Sequence, residues 1–364
     1  MSAADHTIFD WAHSALQCVL GIASFLFLLA LSPAHSRVAF RQLHDYIQQW
    51  TYPRRVETSS STARDVLTPK RLTSHIDARR IKFTMSEALS FVPIFRHWVI
   101  TVVRESRPDM HSLCNCMISL CLFIQLLITS CRYHVDPSLV ERTYALFFSL
   151  FIENFGEEHT TPKFHYLIHI PRIMLRFGWA MNCMVAERKH KTIKAFADAI
   201  DNPYRLARSC MRETICVQMS TLEMSDWLDL SPHIESRRRC TGALKTWVEA
   251  EFGIGATVCT STSARLNEYE RCACGDVVVF KTDGSDDICV GRVWYLLDVD
   301  GTPFCVVDRF DCITYCTDFS EWAVLGNPCV LLFCEVLDVC IHLFTNAATQ
   351  CRILHSYALR SDAY

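Results

Sequence analysis

The sequence lacks the short motifs that mark the common enzyme classes. It contains no GxSxG nucleophile elbow, no Walker phosphate loop and no GxGxxG dinucleotide phrase. Its 20 cysteines and 15 histidines are spread over 364 residues, so any cysteine–histidine hydrolase would be an arbitrary choice among them. The sequence therefore does not support the common hydrolases, nucleotide-dependent enzymes or dehydrogenases. No small-molecule site is expected.

The cysteines also lack the spacing of a zinc knuckle. No CxxC pair occurs, and the closest neighbours, such as Cys114 and Cys116, are separated by one residue. Many cysteines lie inside apolar runs such as CNCMISLCLF. In a chain of this length that pattern favours reduced thiols in a core over a disulfide scaffold.

The formal net charge is only −3. The overall charge of the chain therefore does not indicate a nucleic-acid partner. The distribution is uneven, because residues 160–212 are basic and the chain after residue 265 is acidic. The basic residues of the first stretch are Lys163, Arg172, Arg176, Arg188, Lys189, Lys191, Lys194, Arg205, Arg208 and Arg212. This asymmetry indicates a body that faces a polyanion and a separate acidic module.

One apolar run, ALQCVLGIASFLFLLAL at residues 15–31, has two interpretations. Its length nearly reaches the ~20 apolar residues that span a bilayer, which allows a membrane anchor. The preceding segment carries Asp5 and Asp10 and no Lys or Arg, unlike a secretory leader. A buried helix of a soluble core is the alternative.

Hydrophobic periodicity predicts an α+β chain, with a mainly α-helical body followed by a small antiparallel β-barrel. One helix is bounded by Asp136 as N-cap, Pro137 at the first position and Gly156 after its end. From Asp276 short apolar runs are divided by Asp-Gly turns. The predicted segments are N-terminal helices 1–53, a basic Ser/Thr-rich linker 54–84, the helical body 85–250, a linker 251–271 and the acidic barrel 272–364.

Three points of this organisation stay open. Residues 54–84 are either a solvated connector or an ordered loop laid against a polyanion. The run CVLLFCEVLDVCIHLF can form strands or one helix. The barrel resembles SH3-like or bromo-adjacent-homology modules in architecture only. Trp294, Tyr295, Phe310 and Trp322 could line a peptide groove there or fill its core.

The most distinctive segment is TPKFHYLIHIPRIMLRFGWAMNCMVAERKHKTIK. It resembles the helical region of CACTA (En/Spm-like) DNA transposases, in which PK-x-H-x-L-x-H-x-P, Phe-Gly and E-x-K-H phrases follow in this order. The N-terminal DWAH at residues 10–13 is similar to an Asp-x-x-His phrase of the same family. The matching residues are Pro162, Lys163, His165, Leu167, His169, Pro171, Phe177, Gly178, Glu187, Lys189 and His190.

The resemblance implies an RNase H-like fold whose acids hold two divalent metals for DNA cleavage and transfer. It would make Glu187 the third catalytic acid, with Asp10 and His13 beside the site. The first two acids would precede the Asp-x-x-His phrase and are missing from this chain. The chain is therefore expected to be catalytically incomplete, with no cofactor in isolation and Mg²⁺ only when the missing acids are supplied.

The helix that begins at Glu187 would place His190, Lys191 and Lys194 on one side, with an apolar stripe opposite. That side could bind phosphates or could be an ordinary solvated face. His165 and His169 share a helical face, either as hydrogen-bonded core groups or as metal ligands. The predicted DNA-binding residues are Lys163, Arg176, Arg188, Lys189, His190, Lys191 and Lys194.

Three hypotheses follow for the whole chain. The first is a transposon-derived nuclear protein, truncated or domesticated, that binds DNA or assembles with a catalytic partner. The second is a membrane-anchored structural or interaction protein held by residues 15–31. The third is an interaction module in which only the acidic barrel works, through a protein partner, and the helical body is a relic.

Overall fold

The computed structural model confirms an α+β chain, with helices in the N-terminal part and antiparallel sheets in the C-terminal part. The described residues are 9–32, 36–54, 56, 61–131, 133–180, 193–194, 196–198, 205–223, 231–253, 255, 257–266, 271–281, 287–315, 319–345 and 349–354.

Ten helices are named here in chain order. They are α1 (Ala12–Leu31), α2 (Val38–Gln48), α3 (Pro69–Asp77), α4 (Met85–Trp98), α5 (His111–Thr129), α6 (Pro137–Phe155), α7 (Pro162–Ile168), α8 (Ile170–Phe177), α9 (Leu206–Glu223) and α10 (Gly242–Phe252). The first part of α1, Ala12–Val19, is wound as a π-helix, and α4 continues through a second π-helical segment, Val99–Val103.

The strands form two antiparallel sheets. They are β1 (His233–Ile234), β2 (Arg238–Arg239), β3 (Val258–Ser261), β4 (Ser263–Arg265), β5 (Arg271–Ala273), β6 (Val277–Lys281), β7 (Ile288–Val299), β8 (Thr302–Tyr315), β9 (Phe319–Leu332), β10 (Val336–Val339), β11 (His342–Thr345) and β12 (Gln350–Leu354). The larger sheet runs β10-β6-β7-β8-β9-β12-β11, with β2 and β3 beside the second half of β7. Among the described strands no pairing joins the ends of this path, so the barrel stays a prediction.

The Asp-Gly signal correctly placed the hairpin between β7 and β8. Asp300 and Gly301 both have positive φ angles, of 51° and 88°, as a two-residue turn of this type requires. The Asp298 carboxylate accepts a hydrogen bond from the Gly301 N–H at 2.9 Å. The run CVLLFCEVLDVCIHLF is strand in β9, β10 and β11 and not one helix.

Helix α5 lies in the middle of the helical core, as its nearly continuous apolar surface predicted. Cys114, Cys116 and Cys121 are buried free thiols in it, and burial raises the pKa of Cys116 to about 12. The boundaries predicted for α6 are confirmed. Asp136 accepts a hydrogen bond from the Ser138 N–H, and Gly156 follows the last residue with φ of +88°.

The prediction that residues 54–84 form a linker is wrong for the described part after residue 60, which is folded into the core. The His75 ring is 1% exposed; it donates from Nε2 to the Val66 carbonyl and accepts at Nδ1 from the Lys82 N–H. Burial lowers the pKa of His75, which favours the neutral ring that this pair of bonds needs. Arg71 pairs with the nearly buried carboxylate of Glu87, so the segment is tied to α4.

The other predicted boundaries also shift. Strands β3 and β4 lie inside the predicted linker 251–271, and the β-region begins at β1 and not at residue 272. Helix α10 was assigned to the body but packs through Val248 on a cluster that contains Val258 and Leu297 of the sheet. Helices α1 and α2 share one core cluster with α4–α8, so residues 1–53 are not a separate unit where they are described.

The body and the larger sheet are joined by backbone and side-chain contacts. Thr51 and His342 exchange two backbone hydrogen bonds of 2.8 and 3.0 Å. The buried Leu354 of β12 belongs to the same apolar cluster as the helices. The ring of His97 in α4 meets Phe319 of β9 edge-on, with centroids 4.9 Å apart. The sheet therefore packs directly on the helical body.

Two helices in the described part are long and apolar enough to cross a membrane, Ala12–Leu31 and Pro108–Thr129. Most of the apolar window of each is buried in the fold, 67% and 61% respectively. Core helices and signal sequences share this length and composition. Membrane anchoring through residues 15–31 thus stays a prediction.

Gly21 lets the backbone of residues 78–84 touch α1, and its substitution tests this contact. The Ile81 N–H donates to the Gly21 carbonyl at 3.0 Å, and a Cβ on Gly21 would lie 2.3 Å from the Ile81 oxygen. Helix propensity alone predicts that Gly21→Ala stabilises the chain by up to ~1 kcal/mol. We expect the opposite, a loss of about 1–3 kcal/mol in the free energy of unfolding, measured by denaturant titration. A stabilised variant would contradict the close packing of residues 78–84.

Candidate functional site

The Asp-x-x-His phrase forms the beginning of α1. The Asp10 carboxylate accepts hydrogen bonds from the Ala12 N–H at 3.1 Å and the His13 N–H at 3.3 Å, and it pairs with Nδ1 of the His13 ring. The two side chains are partly exposed, at 27% and 33%. Asp10 therefore caps the N–H groups of the first turn. Its negative charge there also interacts favourably with the positive end of the helix dipole.

The residues around Asp10 pack on α7 and on the chain after α8. The Phe9 ring stacks on Tyr166 and on His169, with centroid separations of 4.8 and 5.2 Å. The fully buried Trp11 donates from its indole nitrogen to the Ala180 carbonyl at 3.3 Å. The chain around the Asp-x-x-His phrase is thus in contact with α7 and with the end of α8, more than 140 residues further along the chain.

Proline and glycine define the α7–α8 pair. Pro162 opens α7, Pro171 lies in the first turn of α8, and Gly178 ends α8 in a left-handed conformation with φ of +82°. A proline is tolerated in the first turn because the N–H it lacks has no partner there. The inner side of the pair is fully apolar. Its buried residues are Phe164, Leu167, Ile170, Ile173 and Met174.

The outer side of the pair carries cations and aromatic rings. Arg172 and Arg176 are exposed, and Lys163 lies over the Tyr166 ring at 5.8 Å. The Arg176 guanidinium lies 5.2 Å from the centre of the Phe177 ring. Phe177 and Trp179 are 43% and 56% exposed. Lys163 and Arg176 could be predicted from their charge, but the two exposed rings could not, because apolar residues at the end of an amphipathic helix normally indicate core.

The remaining predicted residues are only partly within the described chain. Lys194 is exposed in the short helical stretch at 193–194. Glu187, Arg188, Lys189, His190 and Lys191 lie outside the described residues. The relation of Asp10 to Glu187 therefore stays a prediction. Within the described chain no group of three or more His, Cys, Asp or Glu side chains is arranged to hold a metal ion.

His165 and His169 were predicted to be either hydrogen-bonded core groups or metal ligands. The structure places His165 on the exposed side of α7 and His169 at half burial, so neither is a core residue. Their Nε2 atoms lie 3.1 Å apart. The two rings therefore lie within hydrogen-bonding distance of each other.

The four aromatic residues considered for a peptide groove divide into two pairs. Phe310 and Trp322 are buried in the sheet. Trp294 and Tyr295 are about 40% exposed, because a bulge between Val293 and Tyr295 turns both side chains outward. They line an open depression together with the side chain of Arg292. A bulge cannot be read from one sequence, so only the structure separates the pairs.

Comparison with known proteins adds no relationship: no family model matches this chain, and no curated protein is significantly similar to it.

The free energy of unfolding of Asp10 variants tests whether Asp10 has the structural role of a helix cap. Asp10→Ala removes the cap of α1 and should lower the free energy of unfolding by about 1 kcal/mol, and by as much as ~2 kcal/mol. Asp10→Asn keeps the capping oxygen and should retain most of that stability. Asp136→Ala, which removes the cap of α6, is the matched control. Unchanged stability in Asp10→Ala, with a loss in Asp136→Ala, would exclude the capping role.

Proposed function

We propose that this chain is a transposon-derived DNA-binding protein, catalytically incomplete, that contacts DNA through the outer side of the α7–α8 pair and acts in the nucleus. The observation that carries the proposal is the contact between the Asp-x-x-His segment and α7, made by Phe9 on Tyr166 and His169. The residue directly before one phrase thus packs on the helix that carries the other. The RNase H-like relation of the body and the closed barrel are part of the same proposal.

The charge of the α7–α8 pair supports a polyanion partner. From Pro162 to Ala180 the chain has Lys163, Arg172 and Arg176 and no acidic residue. Arg205, just before α9, and Arg208 within it are exposed cations as well. Surface cations can neutralise phosphates and release their counterions, which is the main source of non-specific DNA affinity.

The exposed rings at the end of α8 suit the same partner. Phe177 and Trp179 are large rings on the solvent side of the fold, and Arg176 lies against the first. Aromatic side chains beside arginine form platforms on which unpaired bases stack, worth about 1–3 kcal/mol per base. A transposase-derived surface that holds DNA ends would use such rings for unstacked bases and the cations for the backbone.

Catalysis by the chain alone is not part of the proposal. Both oxygens of Asp10 accept hydrogen bonds from the first turn of α1. These bonds give Asp10 a structural role that does not require a metal ion. A two-metal site needs several carboxylates, and we propose that a catalytic partner supplies them if cleavage occurs.

The exposed Trp294 and Tyr295 are the place where we propose that a protein partner binds.

The DNA-binding surface is tested with a triple variant, Lys163→Gln, Arg172→Gln and Arg176→Gln. Binding of a fluorescent 30-base-pair duplex, and of a single strand of the same length, is measured by anisotropy over a range of salt concentrations. If the three cations each contact a phosphate, the variant should bind about 10–100-fold more weakly. The slope of log affinity against log salt should become shallower by about 2.7 for duplex DNA.

A second triple variant is the charge-matched control. Lys70→Gln, Arg79→Gln and Arg80→Gln remove the same charge from exposed positions around α3, in the segment that sequence analysis also considered for a polyanion contact. It should change affinity less than threefold. Equal losses in both variants would mean that only net charge matters, and a loss confined to the control would place the contact at α3. Absence of binding by the unmodified chain at low salt would overturn the proposed function.

A further inference from the structure

Two imidazole rings meet on the outer side of α7. His165 belongs to α7 and His169 follows four residues later at the junction with α8, so their side chains emerge on one face. The Nε2 atoms are 3.1 Å apart, and the ring planes are nearly perpendicular, at 85°. In a neutral ring whose proton is on Nδ1, the Nε2 atom has a free lone pair. Each of the two facing nitrogens can therefore act as a metal ligand in that tautomer.

The 3.1 Å separation fits two bonds to one metal ion. Zinc–imidazole bonds are about 2.0–2.1 Å long, so two such nitrogens lie about 3.3 Å apart at a tetrahedral metal and about 2.9 Å apart at a right angle. The observed distance lies between these values. A hydrogen bond from one neutral ring to the other fits the same distance, and a metal ion would take the place of that hydrogen bond.

The neighbouring residues hold the pair in this arrangement. Phe9 stacks on the His169 ring with an interplanar angle of 21°, and it stacks on Tyr166 as well. Burial, followed by the nearby charges of His165 and Arg172, lowers the pKa of His169. The neutral ring, which is the form that binds metals, is therefore favoured at neutral pH.

We propose that His165 and His169 bind one divalent ion of the zinc, nickel or copper class through their Nε2 atoms. Imidazole suits these ions, whereas Mg²⁺ prefers oxygen ligands. Within the described chain no third His, Cys, Asp or Glu side chain joins the pair, so the described residues supply two ligands. This site is separate from the two-metal chemistry of transposases, and it does not depend on DNA binding.

Nickel nitrilotriacetate is a suitable probe, because its four donor atoms leave two adjacent positions free on the metal. Binding of the untagged full chain to an immobilised layer of this complex is measured for the unmodified protein, His165→Gln, His169→Gln and the double variant. Each single variant should bind at least tenfold more weakly, since one ligand is lost. His159→Gln, which changes an exposed histidine six residues before His165, is the matched control and should bind like the unmodified chain.

Two further measurements fix the interpretation. Zn²⁺ titrated against a chromophoric chelator should show one site whose affinity falls in acidic solution, because protons compete with the metal for the imidazole nitrogens. Thermal melting of each variant reports whether it is folded, and the exposed His165 supplies a variant with little expected effect on folding. Equal nickel binding by the double variant and the unmodified chain would overturn the proposal, as would an equal loss in His159→Gln.

Discussion

The hydrogen bond from Trp11 to the Ala180 carbonyl constrains the rest of the helical body. An indole N–H that is removed from water needs an acceptor, and leaving it without one costs about 1–3 kcal/mol. Trp11 is fully buried, and its acceptor is supplied by the chain after α8. The beginning of the first helix and the end of the α7–α8 pair are therefore held together. The Phe9 stack and the cap at Asp10 occupy the same corner of the molecule.

This corner determines what the outer surface can do. Because the apolar side of α7 and α8 packs against the body, Lys163, Arg172 and Arg176 remain on the outside. Phe177 is the last residue of α8, and Trp179 lies just beyond it. The histidine pair lies on the same outer side, next to Phe9. A DNA contact and a metal contact would thus share one scaffold, although each rests on different side chains and can fail without the other.

Sequence reasoning succeeded where a local rule decides the structure. The cap at Asp136, the glycine after α6 and the Asp-Gly turn before β8 each depend on backbone preferences of a few neighbouring residues. The burial of α5 followed from its composition. The stacking of Phe9 on Tyr166 and His169 was not predicted, since no local pattern reports which distant segments meet.

The failures came from packing that only the folded chain creates. In the segment around α3, apolar residues such as Val66, Leu72 and Ile81 are isolated among polar ones, so they gave no periodic signal, yet all three are buried. Strand β2 consists of two exposed arginines and is a strand only because its backbone pairs with β3. The outward turn of Trp294 and Tyr295 depends on a bulge whose register is set by β8. Tertiary contacts outweigh local propensity at each of these places.

The central claim, that the segment at Asp10 and helix α7 form one unit, is tested most directly by a double-mutant cycle. Phe9→Ala, Tyr166→Ala and their combination are compared by the free energy of unfolding. A stacked pair should give a coupling energy of about 0.5–1.5 kcal/mol. The pair Phe9→Ala and Phe252→Ala, whose rings lie in different apolar clusters, should be additive. Additive effects of Phe9→Ala and Tyr166→Ala, within about 0.3 kcal/mol, would contradict the account.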